Sequence, residues 1–225
     1  MKRRELLQSL GVFALSAWAP WAQAGTASDF QTAIIRDNFV TVRNLLQQGV
    51  DPNTRDERGL PALVKAMQLE SMRVAQVLIK ARGVNIDAAS PSGETALMHA
   101  CIKGHLDVVK QLIALDARIN HPGWTPLHYA ASADHENSVE IAKLLLEHHA
   151  YIDAESPNKS TPLMLAAQYG SEAMVQLLLD AGADVQLRNQ QGLTAVDFAR
   201  RSEREFMVQT LEKAFQATRR SKASW

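Results

Sequence analysis

The chain has 225 residues, of which 46% are hydrophobic and 21% are charged. These proportions are typical of globular proteins and exclude a disordered chain. The 24 basic and 24 acidic residues balance, so no net charge attracts nucleic acid or acidic lipid, and the single cysteine, Cys101, excludes a disulfide within the chain. The length suits one domain or one elongated array of small units.

The first 24 residues have the layout of a cleavable signal peptide. Basic residues at positions 2–4 precede an apolar stretch at 10–19, which is too short to span a bilayer as a helix. Pro20 ends this stretch, and positions 22–24 form a cleavage motif of the A-x-A type. We expect cleavage after Ala24, a periplasmic location in a bacterium, and no later segment that crosses the membrane. The alternative is an amphipathic first helix, although the apolar stretch has no polar face.

The basic residues also indicate an export route. The pair Arg3-Arg4 followed by two leucines resembles a twin-arginine signal, which exports folded proteins. Leu6 stands where that pattern prefers phenylalanine, and Gln8 where it prefers lysine. The weakly hydrophobic stretch that follows suits this route, and the general secretion route stays open as the alternative.

The remainder of the chain repeats itself. The segments GLPALVKAM, GETALMHAC, GWTPLHYAA, KSTPLMLAA and GLTAVDFAR resemble one another, and their starts are separated by 34, 30, 36 and 33 residues. A second apolar run follows each of the first four segments, and a weaker upstream copy lies at 42–53. Self-similarity with a period of about 33 residues is the signature of a solenoid built from stacked units.

The pattern G-x-T-P-L-H-x-A-A, the following V-V-x-L-L-L run and a G-A-D turn resemble the ankyrin repeat. The resemblance covers residues 29–215 and rests on five tandem matches, which makes it specific. It implies an all-α ankyrin-repeat solenoid of about six helix-turn-helix units joined by β-hairpin-like turns. It also implies a non-catalytic protein that contacts a partner protein with its hairpin tips and its concave helix face.

The residues of each unit fit this fold. Thr125 is placed to cap a helix N-terminus, Pro126 suits the first helical position, and Leu127 is expected in the core. Paired alanines allow adjacent helices to approach closely. Gly182 provides a left-handed end to a second helix.

The two ends of the array depart from the pattern. Asp29 is the expected N-cap of the first unit, and the charged residues at 200–205 are interpreted as part of a water-facing cap. We expect residues 216–225, which include several basic side chains, to form a disordered and solvated tail. Contact of this tail with an acidic surface is the alternative.

His128 could belong to a reactive site or to the scaffold, because a tryptophan, a threonine and a tyrosine lie close to it in the sequence. In the ankyrin family this histidine hydrogen-bonds within the turn network and fixes one unit against another. That role explains His128 fully, and we interpret it as structural. Its counterparts in the other matched segments are Val64, Met98, Met164 and Asp197.

Two irregularities surround the fourth unit. The connection at 120–123 is shorter than the family's by about three residues, and the segment at 132–140 is longer by about three. Such insertions often lie on the binding side of a solenoid. Neutral variation in a tolerant loop explains them equally well.

The resemblance places candidate partner-binding residues at the hairpin tips and the exposed ends of the first helices. Trp124 stands out because its position is normally exposed and tryptophan is enriched among binding hot spots. The alternative is that Trp124 packs over the shortened hairpin and is structural. The candidate set is Trp124, Tyr169, His121, Glu94, Ser160, Gln168 and Lys103.

No nucleotide-binding loop, nucleophile motif or paired acidic motif occurs in the sequence, so we expect neither an enzyme nor a cofactor. The seven histidines follow no zinc-binding pattern, and Cys101 holds a small-residue position at which burial is expected. The favoured function is a monomeric module that binds an unidentified protein in the periplasm, without a nucleic acid partner. A secreted host-directed effector and a histidine-based metal-binding protein are the alternatives.

Overall fold

The computed structural model describes the backbone of residues 20–223 and the side chains of residues 25–218. This part of the chain forms twelve α-helices and one isolated β-bridge, between Arg55 and Pro61. The helices are α1 (Pro20–Ile35), α2 (Phe39–Gln47), α3 (Ala62–Gln68), α4 (Met72–Ile79), α5 (Ala96–Ile102), α6 (Leu106–Ala114), α7 (Pro126–Ser132), α8 (Ser138–Glu147), α9 (Pro162–Tyr169), α10 (Glu172–Asp180), α11 (Ala195–Arg201) and α12 (Glu205–Ala223).

The helices pair into six units that stack in chain order. The first helices of successive units contact each other from α1 through α3, α5, α7 and α9 to α11, and they form one layer. The second helices form the other layer, with contacts between α2 and α4 and along α6, α8, α10 and α12. This two-layer stack confirms the all-α solenoid of six helix-turn-helix units that the sequence predicts.

The first helices of units 2–6 are only seven or eight residues long. Helices of this length are unstable alone, so packing must maintain them. Thr95, Thr125, Thr161 and Thr194 are the N-caps of α5, α7, α9 and α11, as the sequence predicts. The apolar core between the layers takes equivalent residues from each unit; for example, Leu97, Leu112, Leu127, Leu145 and Leu163 are all at most 1% exposed.

Side chains also close the hairpin tips that project between units. At four tips an oxygen accepts the backbone N–H four residues later, in the pairs Asp56–Leu60, Ser90–Glu94, Ser156–Ser160 and Asn189–Leu193, at 2.9–3.0 Å. The shortened tip of unit 4 differs. There the His121 Nε2 atom lies 2.8 Å from the carbonyl oxygen of Arg118.

A ladder of Asn and Asp side chains joins units 1 to 5, each to the next. Their Oδ1 atoms accept backbone N–H groups of the following unit, in the pairs Asn53–Asn85 (2.7 Å), Asp87–Arg118 (2.8 Å), Asn120–Tyr151 (2.9 Å) and Asp153–Asp184 (3.1 Å). The sequence indicates polar turn residues here. It does not show that they connect separate units.

The structure corrects the expectations for both ends of the array. Asp29 is not an N-cap, because α1 already begins at Pro20 and buries Phe30, Ala33 and Ile34. Residues 216–223 are helical rather than disordered, because α12 continues to Ala223 through a segment without glycine or proline. Residues 1–19 of the predicted export signal lie outside the described residues.

Candidate protein-binding surface

The C-terminal ends of four first helices carry exposed apolar side chains. Ile35, Leu69, Ile102 and Tyr169 are 58%, 49%, 37% and 55% exposed, respectively. Each is the last residue or the C-cap of α1, α3, α5 or α9, so the stacking of the units aligns them along one layer. We call these four residues the first-helix edge. Apolar groups that recur along one edge are typical of a surface that another molecule covers.

Lys103 adds a fixed charge beside this edge. It follows Ile102, and its Nζ atom lies 2.6 Å from Oε1 of Glu70 in the preceding unit. The hydrogen bond and the charge of Lys103 hold the pKa of Glu70 below its usual value. Both side chains remain nearly half exposed, so the pair contributes little to stability and stays accessible to a partner.

Glu94 is half-buried and already has two hydroxyl partners. The Tyr129 hydroxyl of the next unit donates to it at 2.9 Å, and the Ser92 hydroxyl donates at 2.9 Å. Burial and then the hydrogen bond to Glu94 raise the pKa of Tyr129. The sequence predicted Glu94 but missed Tyr129. The separation of 35 residues, close to one repeat, was the available signal.

His99 lies buried beside this carboxylate. Its Nε2 atom is 3.9 Å from Oε2 of Glu94, which is beyond hydrogen-bonding distance. Burial lowers the pKa of His99, although the charge of Glu94 acts in the opposite direction. The neutral imidazole is therefore favoured, and the Glu94 carboxylate is held by hydroxyl groups rather than by a cation.

His128 connects units 4 and 5, which confirms its structural role. The imidazole is fully buried, and its Nδ1 atom accepts the Thr125 N–H at 3.2 Å and lies 2.9 Å from the Thr125 hydroxyl. Its Nε2 atom lies 3.0 Å from the carbonyl oxygen of Ser160. These partners assign the proton to Nε2, which donates to Ser160. Burial lowers the pKa of His128 and so keeps the ring neutral.

Trp124 packs partly on this histidine. Its ring meets the His128 ring edge-on, with centroids 5.3 Å apart and an interplanar angle of 80°. The side chain is half-buried at the shortened tip. Trp124 therefore supports the hairpin and still presents part of its surface to solvent.

Three other candidate residues are less accessible than the sequence predicts. Ser160 is 1% exposed, which contradicts the expectation of an exposed side chain, because its turn packs against His128 of the preceding unit. Ser160 is therefore removed from the candidate surface. His121 and Gln168 are half-buried, and Gln168 directly precedes the exposed Tyr169.

The longer segment of unit 4 folds back onto unit 3. A Cβ atom built on Gly104 would lie 2.1 Å from the His135 ring, so the ring would have to move to admit a side chain there. Asn137 also donates its side-chain N–H to the Gly104 carbonyl oxygen at 3.0 Å. Because Gly104 follows Lys103, the insertion borders the candidate surface.

The histidines and Cys101 are the side chains on which a metal site or a reactive thiol would depend. No three His, Cys, Asp or Glu side chains among those residues come together as metal ligands. Cys101 is fully buried, and burial raises the pKa of its thiol. Among the helices described, none has the length and apolar character needed to cross a membrane.

Comparisons with known proteins agree with the stacked units. A family model for ankyrin repeats (three copies) matches residues 30–122, 82–156, 106–189 and 136–220. The putative ankyrin repeat protein YahD of Escherichia coli is 32% identical over 158 residues, which cover 67% of this chain and 78% of that protein. The human transient receptor potential cation channel subfamily A member 1 is 29% identical over 161 residues. That match covers 68% of this chain but 14% of the channel subunit.

A solved structure shows the same architecture. It is the complex of the Bd0816 predatory endopeptidase from Bdellovibrio bacteriovorus with the immunity protein Bd3460. One chain of this complex matches with a TM-score of 0.69 and 26% identity, over 82% of this chain and 97% of its own length. Together with the family matches, which extend from residue 30 to residue 220, this shows that the chain belongs to the ankyrin-repeat family.

Proposed function

We propose that this protein is a non-catalytic module that binds a partner protein in the bacterial periplasm through the first-helix edge and the adjoining hairpin tips. Ankyrin repeats are protein–protein interaction modules. The first-helix edge is the observation that supports this choice of surface, because its four apolar side chains are exposed at equivalent ends of helices. Covering them would remove apolar surface from water, which favours association.

Tyr169 is the proposed anchor of this contact. It is the only aromatic residue of the first-helix edge, and tyrosine is enriched among residues that dominate binding energy. Gln168, His121 and the open side of Trp124 are proposed to extend the contact. The Lys103–Glu70 pair and the hydroxyl-held Glu94 provide charges at defined positions, which suit orientation of the partner more than affinity.

In-cell photocrosslinking tests the surface. A photoreactive residue replaces Tyr169 or Trp124, and a control carries it at the exposed Gln176 on α10, in the second-helix layer. We expect one discrete protein adduct from position 169 or 124 and none from position 176. An adduct from position 176 alone would move the binding surface to the other layer.

The periplasmic location rests on the signal pattern of residues 1–24. Fractionation of cells, followed by N-terminal sequencing, should find a mature chain that begins at Gly25 in the periplasm. Recovery of the protein from the medium of intact cells would instead favour the host-directed alternative.

The solved complex suggests a class of partner, namely a peptidase. The matched chain comes from a complex of an endopeptidase and an immunity protein, and the match covers 97% of that chain. The experiment is to purify the partner that crosslinking identifies, free of the adduct, and to assay its peptidase activity with and without an excess of the purified protein. Inhibition that Tyr169→Ala relieves would support this candidate, and a partner without peptidase activity would remove it.

A further inference from the structure

The second-helix layer contains a basic groove that the proposed function does not use. The groove lies between α2 and α4 of units 1 and 2 and has a volume of about 800 Å³. We call it the outer groove and define it by four exposed cations, Arg43, Arg73, Lys80 and Arg82.

The charge of the outer groove is strongly one-sided in a chain with balanced charge. Asp51 is the one carboxylate among the residues that line it, so four positive charges and one negative charge leave a net charge of +3. Neither α2 nor α4 contains an acidic residue. Within residues 25–218 no carboxylate forms an ion pair with any of the four cations, whereas Lys65 and Lys103 each have such a partner.

One aromatic ring holds two of these cations together. The Cζ atom of Arg73 lies 4.2 Å from the centroid of Phe39, and that of Arg43 lies 5.3 Å from it. Cation–π attraction keeps both guanidinium groups near the ring despite their like charge. A carboxylate that bridged them would remove this repulsion, and the planar guanidinium group suits carboxylates because it donates two parallel hydrogen bonds.

The lining of the groove is apolar between the cations. Phe39, Leu46, Val50 and Val77 line it and are only partly buried against the core. A flat lipid surface meets the protruding side chains but does not enter a groove between two helices. A peptide segment fits both features, because its carboxylates reach the cations while an apolar side chain enters the groove.

We infer that the outer groove binds an acidic segment of a partner protein, with carboxylates on Arg43 and Arg73 and an apolar side chain against Phe39 and Val77. This binding is independent of the first-helix edge, since the groove belongs to the other layer of the stack. The protein thus has two binding surfaces.

Selection of peptides from a random displayed library on the purified protein tests this inference and does not require the partner to be identified first. The matched variants are Arg43→Gln/Arg73→Gln in the groove and Arg118→Gln/Arg201→Gln outside it, with the same change of charge. All four side chains are exposed, so we expect both variants to fold. Binding of the selected peptides is measured by fluorescence anisotropy at low and high salt.

We expect the selected peptides to be rich in Asp and Glu around an apolar residue and to bind more weakly at high salt. The groove variant should weaken binding by about tenfold or more, since charge-assisted hydrogen bonds are lost. The control variant and Tyr169→Ala should change binding less than about twofold, which separates this inference from the proposed function.

Two outcomes would overturn the inference. The first is a selection without acidic enrichment, or one whose peptides bind the groove variant and the wild type equally. The second is binding to vesicles of phosphatidylcholine and phosphatidylglycerol that the groove variant loses, with no peptide dependence on Arg43 and Arg73. That result would assign the groove to a lipid surface.

Discussion

At the scale of single residues, His128 is the clearest case in which one side chain joins two units. His128→Ala would leave the Thr125 N–H without its side-chain partner at a fully buried site. It would also remove one of the two donors of the Ser160 carbonyl oxygen, which still accepts the Ser156 N–H. An unsatisfied buried group costs about 1–3 kcal/mol. Because the truncation also leaves a cavity at a fully buried site, we expect the free energy of unfolding to fall by about 2–5 kcal/mol in total. Urea denaturation followed by circular dichroism measures this. His148→Ala, at an exposed helix end, is the control and should change stability by less than about 0.5 kcal/mol.

The buried histidines also predict how stability depends on pH. Burial lowers the pKa values of His99 and His128, and partial burial lowers the pKa of His105, so the unfolded chain binds protons more readily than the folded chain. Their contribution is present above the unfolded pKa of about 6.5 and is lost as the pH falls below it. We expect the Tm to fall from pH 7.5 to pH 5.5 and to fall less in His128→Ala. A Tm that stays constant across this range would contradict the prediction.

Lys159 occupies a turn position that favours glycine. Gly59, Gly93, Gly123 and Gly192 hold the equivalent position with φ of 75–86°, and Lys159 has φ of 60°. A residue with a Cβ atom in this left-handed region costs about 1–2 kcal/mol relative to glycine. Part of this gain is lost on substitution by glycine, because glycine has more conformational freedom in the unfolded chain. Lys159→Gly should therefore stabilise the protein by about 0.5–1 kcal/mol in urea denaturation. Gly192→Ala is the reverse test and should destabilise the protein, because alanine disfavours a φ of 75°. No neighbouring atom lies within 4 Å of the new Cβ, so a steric clash does not contribute.

The features that the sequence predicts are those that repeat. Threonine caps and buried leucines recur from unit to unit, so the pattern indicates them. The bridging role of His128 does not recur, and it follows from the resemblance to the ankyrin repeat. Ser160 differs, because its burial depends on how its turn packs against the preceding unit. The contact between Tyr129 and Glu94 likewise joins two units, and no local pattern encodes it.

At the scale of elements, α12 is a cap that the sequence predicts only in part. Met207, Val208 and Leu211 are buried against α10 and α11, and Arg200 of α11 forms an ion pair with Glu212. The helix α12 therefore covers the apolar faces of α10 and α11 at the end of the stack. Its extension beyond residue 215 follows from helix-forming residues rather than from the repeat pattern.

Two truncations separate the cap from its extension. A chain that ends at Arg204 exposes the apolar faces of α10 and α11, so we expect a lower Tm and concentration-dependent aggregation. A chain that ends at Ala217 keeps the buried residues of α12 and should retain the Tm of the full chain. Differential scanning calorimetry with light scattering distinguishes the two. Equal Tm values for both truncations would show that α12 is not a cap.

At the scale of the whole molecule, neighbouring units are linked by the Asn and Asp ladder as well as by the apolar core. In a stack whose units contact only their neighbours, stability is the sum of unit terms and interface terms. The effect of weakening an interface then depends on its place in the stack. Weakening an interface near the end of the stack releases one unit. Weakening a central interface divides the array into two parts.

Asn53 and Asn120 allow a chemically matched test of this coupling. Each accepts one backbone N–H of the next unit, at 2.7 and 2.9 Å, and donates to one carbonyl oxygen there, at 2.9 Å in both cases. Asn120→Ala should lower the m value, which is the slope of the free energy of unfolding against urea concentration. The reason is that the two parts of the array then unfold separately. Asn53→Ala should increase hydrogen exchange mainly in α1 and α2 and leave the main transition unchanged. The same urea dependence and the same exchange pattern in both variants would mean that all six units unfold together, and that the ladder does not define separable parts.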